Sequence, residues 1–218
     1  MKRFFVLTFL MFMATGLVSN GVALAQALTP DALVKSVTDD VLKTVRQDKD
    51  IQNGNSQKTI ALVQAKVLPS FNFNRMTSLA VGRDWNKATP QQKEQLTNLF
   101  RDLLVRTYSN ALSSYRDQTV RYKPFTMQPE ETDVLVRTEV LQPGGRPIQL
   151  DYSLNLVDKG KDGGWKVYDV VVGGVSLVTN YRDTFAQEVR NGGIDGLIQS
   201  LADKNRALEK KAQDAQKR

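Results

Sequence analysis

Residues 165–185 read WKVYDVVVGGVSLVTNYRDTF. Trp165 to Val172 has the composition of a strand, rich in β-branched and aromatic residues. A strand with one wet face would alternate, but Val170, Val171 and Val172 run together. Gly173-Gly174 permit a bend, and beyond it the apolar period changes. Val178, Tyr181, Phe185 and Val189 recur every three or four residues, which predicts a helix. If the strand is regular, Lys166, Tyr168, Val170 and Val172 share one side and Trp165, Val167, Asp169 and Val171 the other. A one-residue bulge would swap them.

Three strand-like runs precede this stretch: TVRYKPFTMQ (119–128), DVLVRTEVLQ (133–142) and IQLDYSLNLVD (148–158). Turns at Pro129-Glu130-Glu131, Pro143-Gly144-Gly145 and 161–164 separate the four, so they form an antiparallel meander. Leu150, Tyr152, Leu154 and Leu156 alternate with Asp151, Ser153 and Asn155, giving that strand one wet face. Helices come first. Pro30 follows a potential N-cap, Thr29, and Val34, Val37, Val41 and Val45 recur at helical spacing. A second helix spans about 57–68, and a short one ends at Gly82. The longest stripe is Leu96, Leu99, Phe100, Leu103, Leu104, Tyr108, Leu112 and Tyr115. A capping box of Thr89 and Gln92 opens it, with Pro90 between them. Its width predicts burial against a large partner, most simply the sheet. After Phe185 the helix breaks at Gly192-Gly193, and IDGLIQSL starts another. Helices, then a curled four-stranded antiparallel sheet, then helices again make an α+β domain.

Residues 1–25 read as a secretory signal peptide. Lys2 and Arg3 precede an apolar core too short to span a bilayer, and Ala23-Leu24-Ala25 offers the cleavage pattern. The expected divisions are this leader, one domain over 26–203, and a charged tail over 204–218 that frays. Without Lys2 and Arg3 there remain 28 basic and 23 acidic residues, a net charge of +5. That mild basicity suits anionic membrane surfaces or acidic partners. Nucleic acid is not an expected partner, because the basic residues are mixed with acidic ones and no aromatic platform alternates with them. The chain has no Cys, so an exported protein of this kind is held by its core alone.

The chemistry of catalysis is sparse. There is no His and no Cys, which removes the commonest general base, the imidazole metal ligands and the thiol nucleophile. No catalytic residue, metal or cofactor is therefore assigned. Asp39-Asp40 and Glu130-Glu131 read as solvated surface. Asp169, inside an apolar strand, reads as a partnered structural carboxylate or one at a sheet edge. The Gly-rich stretches PGGRP and KDGGWK join strand to strand and lack the helix N-terminus a phosphate loop needs. What remains is apolar area, which periodicity alone assigns to a packed core ahead of a ligand cavity.

Three segments carry a resemblance: VGRDWNKATPQQKEQLTNLFRDLLVRTYSNALSSY, GGRPIQLDYSLNL and WKVYDVVVGGVSLVTNYRDTFAQEVRNGGIDGLIQSL. Their most specific pieces are Ala88-Thr89-Pro90, Trp165-x-Val167-Tyr168-Asp169, Gly174-Val175-Ser176 and Gly193-Ile194-Asp195-Gly196-Leu197. Over about Leu28 to Leu201 the chain resembles the MlaC family, the periplasmic phospholipid-binding component of a system that maintains outer-membrane lipid asymmetry. The resemblance implies a fold like nuclear transport factor 2 with extra N- and C-terminal helices. It implies a cargo phospholipid whose acyl chains fill a cup while the headgroup stays near solvent. It further implies two partners: an outer-membrane lipoprotein–porin complex, and an inner-membrane ABC transporter complex with its substrate-binding subunit.

Physical chemistry fits such a carrier. Exposing about thirty methylene groups of two acyl chains to water costs on the order of 20 kcal/mol, so a lipid needs a dry container to cross an aqueous gap. The expected pocket residues are Leu99, Leu103, Leu104 and Tyr108 on the long helix, and Val134, Val136, Tyr152, Leu154, Val170 and Val172 on the sheet. Phe71, Phe73, Met76, Leu177, Val178 and Tyr181 complete the set. An alternative is an exported chaperone-like interaction module whose apolar stripe is an external patch.

Overall fold

A computed structural model describes residues 28–157 and 164–216 of the 218-residue chain. The leader and its cleavage junction lie outside the described residues, as does most of the 161–164 turn.

Helix α1 (Pro30–Gln47) starts with Pro30 in its first turn and buries Val34, Val41 and Val45. Thr29 stands at its N-cap without a side-chain bond. Helices α2 (Lys49–Gln52) and α3 (Ser56–Lys66) are capped by the side chains of Asp48 and Asn55. Helix α4 (Phe73–Val81) is capped by Asn72 and ends at Gly82, whose φ of 67° is open to glycine. Helix α5 (Pro90–Tyr108) carries the expected capping box. Gln92 N–H donates to Thr89 Oγ1 at 3.2 Å, and Thr89 N–H to Gln92 Oε1 at 2.9 Å. The short α6 (Asn110–Ser113) follows.

The sheet is an antiparallel meander of five strands in chain order: β1 (Thr119–Tyr122), β2 (Asp133–Leu141), β3 (Ile148–Val157), β4 (Gly164–Val172) and β5 (Val175–Ser176). Two differences from the four-strand expectation have local causes. The first strand stops at Tyr122, and Pro124, which lacks an N–H, follows just beyond it. Gly173 and Gly174, at φ 57° and 88°, make a two-residue reversal, so Val175 pairs back with Val172 as a fifth strand. Nothing lies within 4 Å of an added Cβ at either glycine; backbone freedom, not close packing, explains them.

The register between β3 and β4 shifts at Ser153/Leu154. Ser153 faces Asp169 and Leu154 faces Val167, leaving Tyr168 as the extra residue. The bulge therefore swaps faces within β4. Trp165 and Val167 join Val170 and Val172 on the face that holds Leu150, Tyr152 and Leu154, while Lys166, Asp169 and Val171 point the other way. The bulge thus keeps the apolar residues before and after Tyr168 on one face, while within the valine run Val171 still points the other way, opposite Asp151.

Helix α7 (Arg182–Gln216) is kinked at Gly193, whose φ of 67° and ψ of −167° are not helical. The charged tail expected to fray is helical to Gln216, and Leu208 packs on the helical core.

The long helix does not lie on the sheet. Its stripe packs on α7 and α4, and three polar ties follow its length: Gln92 to Asp195 at 2.7 Å, the Asn205 amide to Leu99 C=O at 2.9 Å, and Arg106 to Glu209 at 3.4 Å. The numbers rise together, so α5 and α7 run parallel. A broad apolar stripe is satisfied equally by a sheet or by two helices, and its periodicity does not distinguish them. The cover of the sheet is α1, through Leu33 and Val34.

Candidate functional site: the apolar face of the sheet

Three apolar clusters result. The helical one joins α4, α5 and α7 around Phe100 and Phe185, both fully buried. The sheet cluster joins Val34 to Val136, Leu154, Val167 and Val170. The third packs Val41, Val45, Ile51, Leu62 and Tyr115 among α1, α2, α3 and the segment after α6.

The expected pocket residues divide between the first two. Met76, Leu103, Leu104 and Val178 are buried in the helical cluster, with Phe73, Leu99, Tyr108 and Tyr181 packed against it. Val136, Leu154 and Val170 are buried in the sheet cluster, with Val134, Tyr152 and Leu177 beside them. Val172 belongs to neither and is 38% exposed, because the hairpin places it at the sheet end beyond α1. Phe71 alone belongs to both groups. It bridges to Val167 beside the bulge, where Asn72 N–H donates to Val167 C=O at 2.8 Å, and its ring stacks on Phe73 at 5.7 Å.

Polar groups fasten the helical body to the sheet. Asp169 is the partnered carboxylate expected. Its Oδ1 accepts from Val170 N–H at 2.8 Å and Val178 N–H at 3.2 Å, and its Oδ2 accepts from the Ser176 hydroxyl at 2.6 Å. Arg75 on α4 forms two bonds to Asp133 on β2, at 2.7 and 3.4 Å, and its guanidinium stands 3.9 Å from the Tyr168 ring centre. The bulge is what turns Tyr168 toward Arg75. Burial, helped by the Asp133 charge, pushes the Tyr168 hydroxyl above its ordinary value. Nothing in the local sequence pairs Arg75 with a strand 58 residues later; that contact exists only in three dimensions.

Buried tyrosines mark the two apolar regions. Burial lifts Tyr152 on the sheet well above the usual phenol range. It lifts Tyr181, packed edge-on against Phe100, to about 12. Such groups stay neutral at any ordinary pH and behave as apolar surface with one donor. A separate groove of about 360 Å³ between α4 and α5 is lined by Asn74, Pro90, Lys93, Glu94, Thr97 and Asn98; it shares no residue with the expected pocket. Among the described residues no group of three or more His, Cys, Asp or Glu side chains is placed to hold a metal, and no helix is long and apolar enough to cross a membrane.

A family model described as MlaC protein matches residues 35–203. The chain belongs to the MlaC family. A Haemophilus influenzae member, named intermembrane phospholipid transport system binding protein MlaC, is 27% identical over 205 residues, 92% of this chain and 92% of that one. The toluene tolerance protein ttg2D of Pseudomonas putida is 25% identical over 174 residues, covering 78% and 77%. Among solved structures, the phospholipid-binding protein from Ralstonia solanacearum, in complex with a phospholipid, superposes with a TM-score of 0.75 at 42% identity. It matches 84% of this chain and 99% of its own. The MlaC match begins within α1 and ends beyond the kink of α7, and so takes in the strands of the sheet cluster and nearly all of the helical cluster.

Proposed function

We propose that this chain is a non-enzymatic phospholipid carrier of the periplasm, exported by a leader cleaved near Ala25. It shuttles lipid between an outer-membrane lipoprotein–porin complex and an inner-membrane ABC transporter complex. The observation that carries the reading is the Ralstonia relative, alike over nearly its whole length and holding a phospholipid. The sheet face supports it. Val134, Val136, Tyr152, Leu154 and Val170 form one continuous apolar surface, under a single helix and beside a seam that Phe71 spans. In this reading the acyl chains lie on that face and part the seam, with Leu177, Val178 and Tyr181 on the far wall and Leu99, Leu103, Leu104 and Tyr108 behind it. In this reading the sheet curls into a cone like that of nuclear transport factor 2. Transfer from membrane to protein is then nearly isoenergetic, because the tails exchange one dry surface for another.

Organic extraction of the purified mature protein, followed by mass spectrometry, is expected to recover about one phospholipid per chain. Folded protein lacking any lipid straight from cells, together with a stable protein complex, would instead support the interaction-module reading. Val136→Asp is expected to lower lipid content far more than Gln95→Asp, since Val136 is 1% exposed on the apolar face and Gln95 lies on the solvent side of α5.

A further inference from the structure

Among the described residues the exposed large apolar side chains are Leu28, Leu135, Ile148, Leu156, Val172 and Val175. Ile148, Val172 and Val175 share one end and one face of the sheet. The register puts them there. Val175 pairs with Val172, and Val172 with Leu150. Ile148, two residues from Leu150 on the same face, pairs with Val140, and Val140 with Val120 on β1. This apolar strip crosses all five strands, and Val175 is 54% exposed. Helix α1 covers the rows further in, around Val136, Leu154 and Val170, and leaves the strip open.

The strip ends in two hairpin tips held side by side. The 142–147 turn joins β2 to β3, Gly173-Gly174 joins β4 to β5, and Gly173 N–H donates to Gln149 C=O at 2.9 Å. Residues 170–181 carry no charge, and 140–150 carry one, the exposed Arg146. Glu139, on the opposite face, is held by both Arg121 and Lys123. Over 119–123, 137–151 and 170–181 the basic residues are Arg121, Lys123, Arg137 and Arg146 and the acidic ones Glu139 and Asp151, a balance of +2.

We propose that this end of the sheet docks on an anionic bilayer, with Ile148, Val172 and Val175 entering the interface and Arg146 meeting lipid phosphate. The proposal rests on the carrier reading above and adds the membrane surface as a partner. Apolar tips with little charge and a positive balance suit a fluid, negatively charged surface that reshapes around them. A protein partner of ordinary size would ask for about ten hydrogen bonds, and the side chains of this strip offer none. The strip also continues the face that lies under α1, so docking aligns the apolar side of the sheet with the bilayer interior. So few inserted side chains make the contact weak, which suits a carrier that must leave again.

The test sediments mature protein with vesicles of phosphatidylcholine alone and of phosphatidylcholine and phosphatidylglycerol in equal parts. Wild type is expected to favour the mixed vesicles, less so as salt rises. Val175→Asp is expected to cut that binding by about tenfold or more. Arg146→Gln should cut it by about fivefold while leaving neutral vesicles unaffected. Leu156→Asp, on the same face at the opposite end, should bind like wild type. Equal loss in Leu156→Asp and Val175→Asp would overturn the proposal. So would wild-type protein that carries extractable lipid yet sediments with neither vesicle. Self-association of wild type that Val175→Asp abolishes, without vesicle binding, would give the strip to a second copy and overturn it as well. Absence of extractable lipid would overturn the carrier reading itself.

Discussion

Asp169 interrupts an apolar strand because one carboxylate there satisfies three donors at the point where the sheet hands over to the helices. Ser176, which it holds, accepts in turn from Val178 and Thr179 N–H at 3.2 and 2.9 Å. Asp169→Ala would leave those donors facing an apolar wall. The expected loss is about 2–3 kcal/mol in urea unfolding, and Asp169→Asn, which keeps one acceptor, should lose less. Tyr181 gives a pH signature. Its hydroxyl titrates at about 12 in the fold and near 10 when unfolded, so the fold favours the protonated form. That contribution is complete below about pH 10 and is lost as pH rises toward 12. Unfolding free energy measured between about pH 9 and 11.5 should fall less steeply in Tyr181→Phe, by roughly 1–2 kcal/mol after allowance for partial exposure.

The elements owe their limits to a few residues. The Thr89–Gln92 box starts α5, and Thr89→Ala should cost about 1 kcal/mol of thermal stability without touching the core. Glycine is the residue type suited to position 193 at the kink of α7, because a φ of 67° with extended ψ disfavours any Cβ on conformational grounds. Space is not the constraint, since a Cβ added at Gly193 would meet nothing within 4 Å. Gly193→Ala is therefore expected to destabilise by about 1–3 kcal/mol. The loss should show as weaker hydrogen-exchange protection in α7 beyond the kink while the sheet stays protected.

Across the whole molecule, a helical body and a sheet body are joined by Phe71, the Arg75–Asp133–Tyr168 group and the Asp169–Ser176 turn. The sheet face is closed in this structure, with Val136, Leu154, Val167 and Val170 all buried, so a hydrocarbon guest would have to part the two bodies to reach it. Cargo that binds only the folded chain stabilises it by mass action. Delipidated protein is accordingly expected to melt below the loaded form in calorimetry, with the gap closing as phospholipid is titrated back. Coincident melting of the two forms would contradict tail burial on this face.

Local chemistry was legible from residues alone. The capping box, the strand-to-helix passage and the partnered role of Asp169 each depend on neighbours within about nine positions, whereas the wet face expected of β3 is not found, since Asp151 and Asn155 are buried and Leu156 is exposed. The MlaC resemblance came from the same local motifs. The sequence also bounded the bulge in β4 by showing what it would do, but not whether it occurs, since that depends on which strand lies alongside. Tertiary structure decided the rest. It placed α5 against α7 instead of the sheet, put α1 over the apolar face, split the expected pocket between two clusters and exposed Val172. These outcomes join residues far apart in the chain, and an apolar stripe carries no label for its partner: burial energy depends on area, not identity, so many pairings satisfy it until the chain's connectivity selects one.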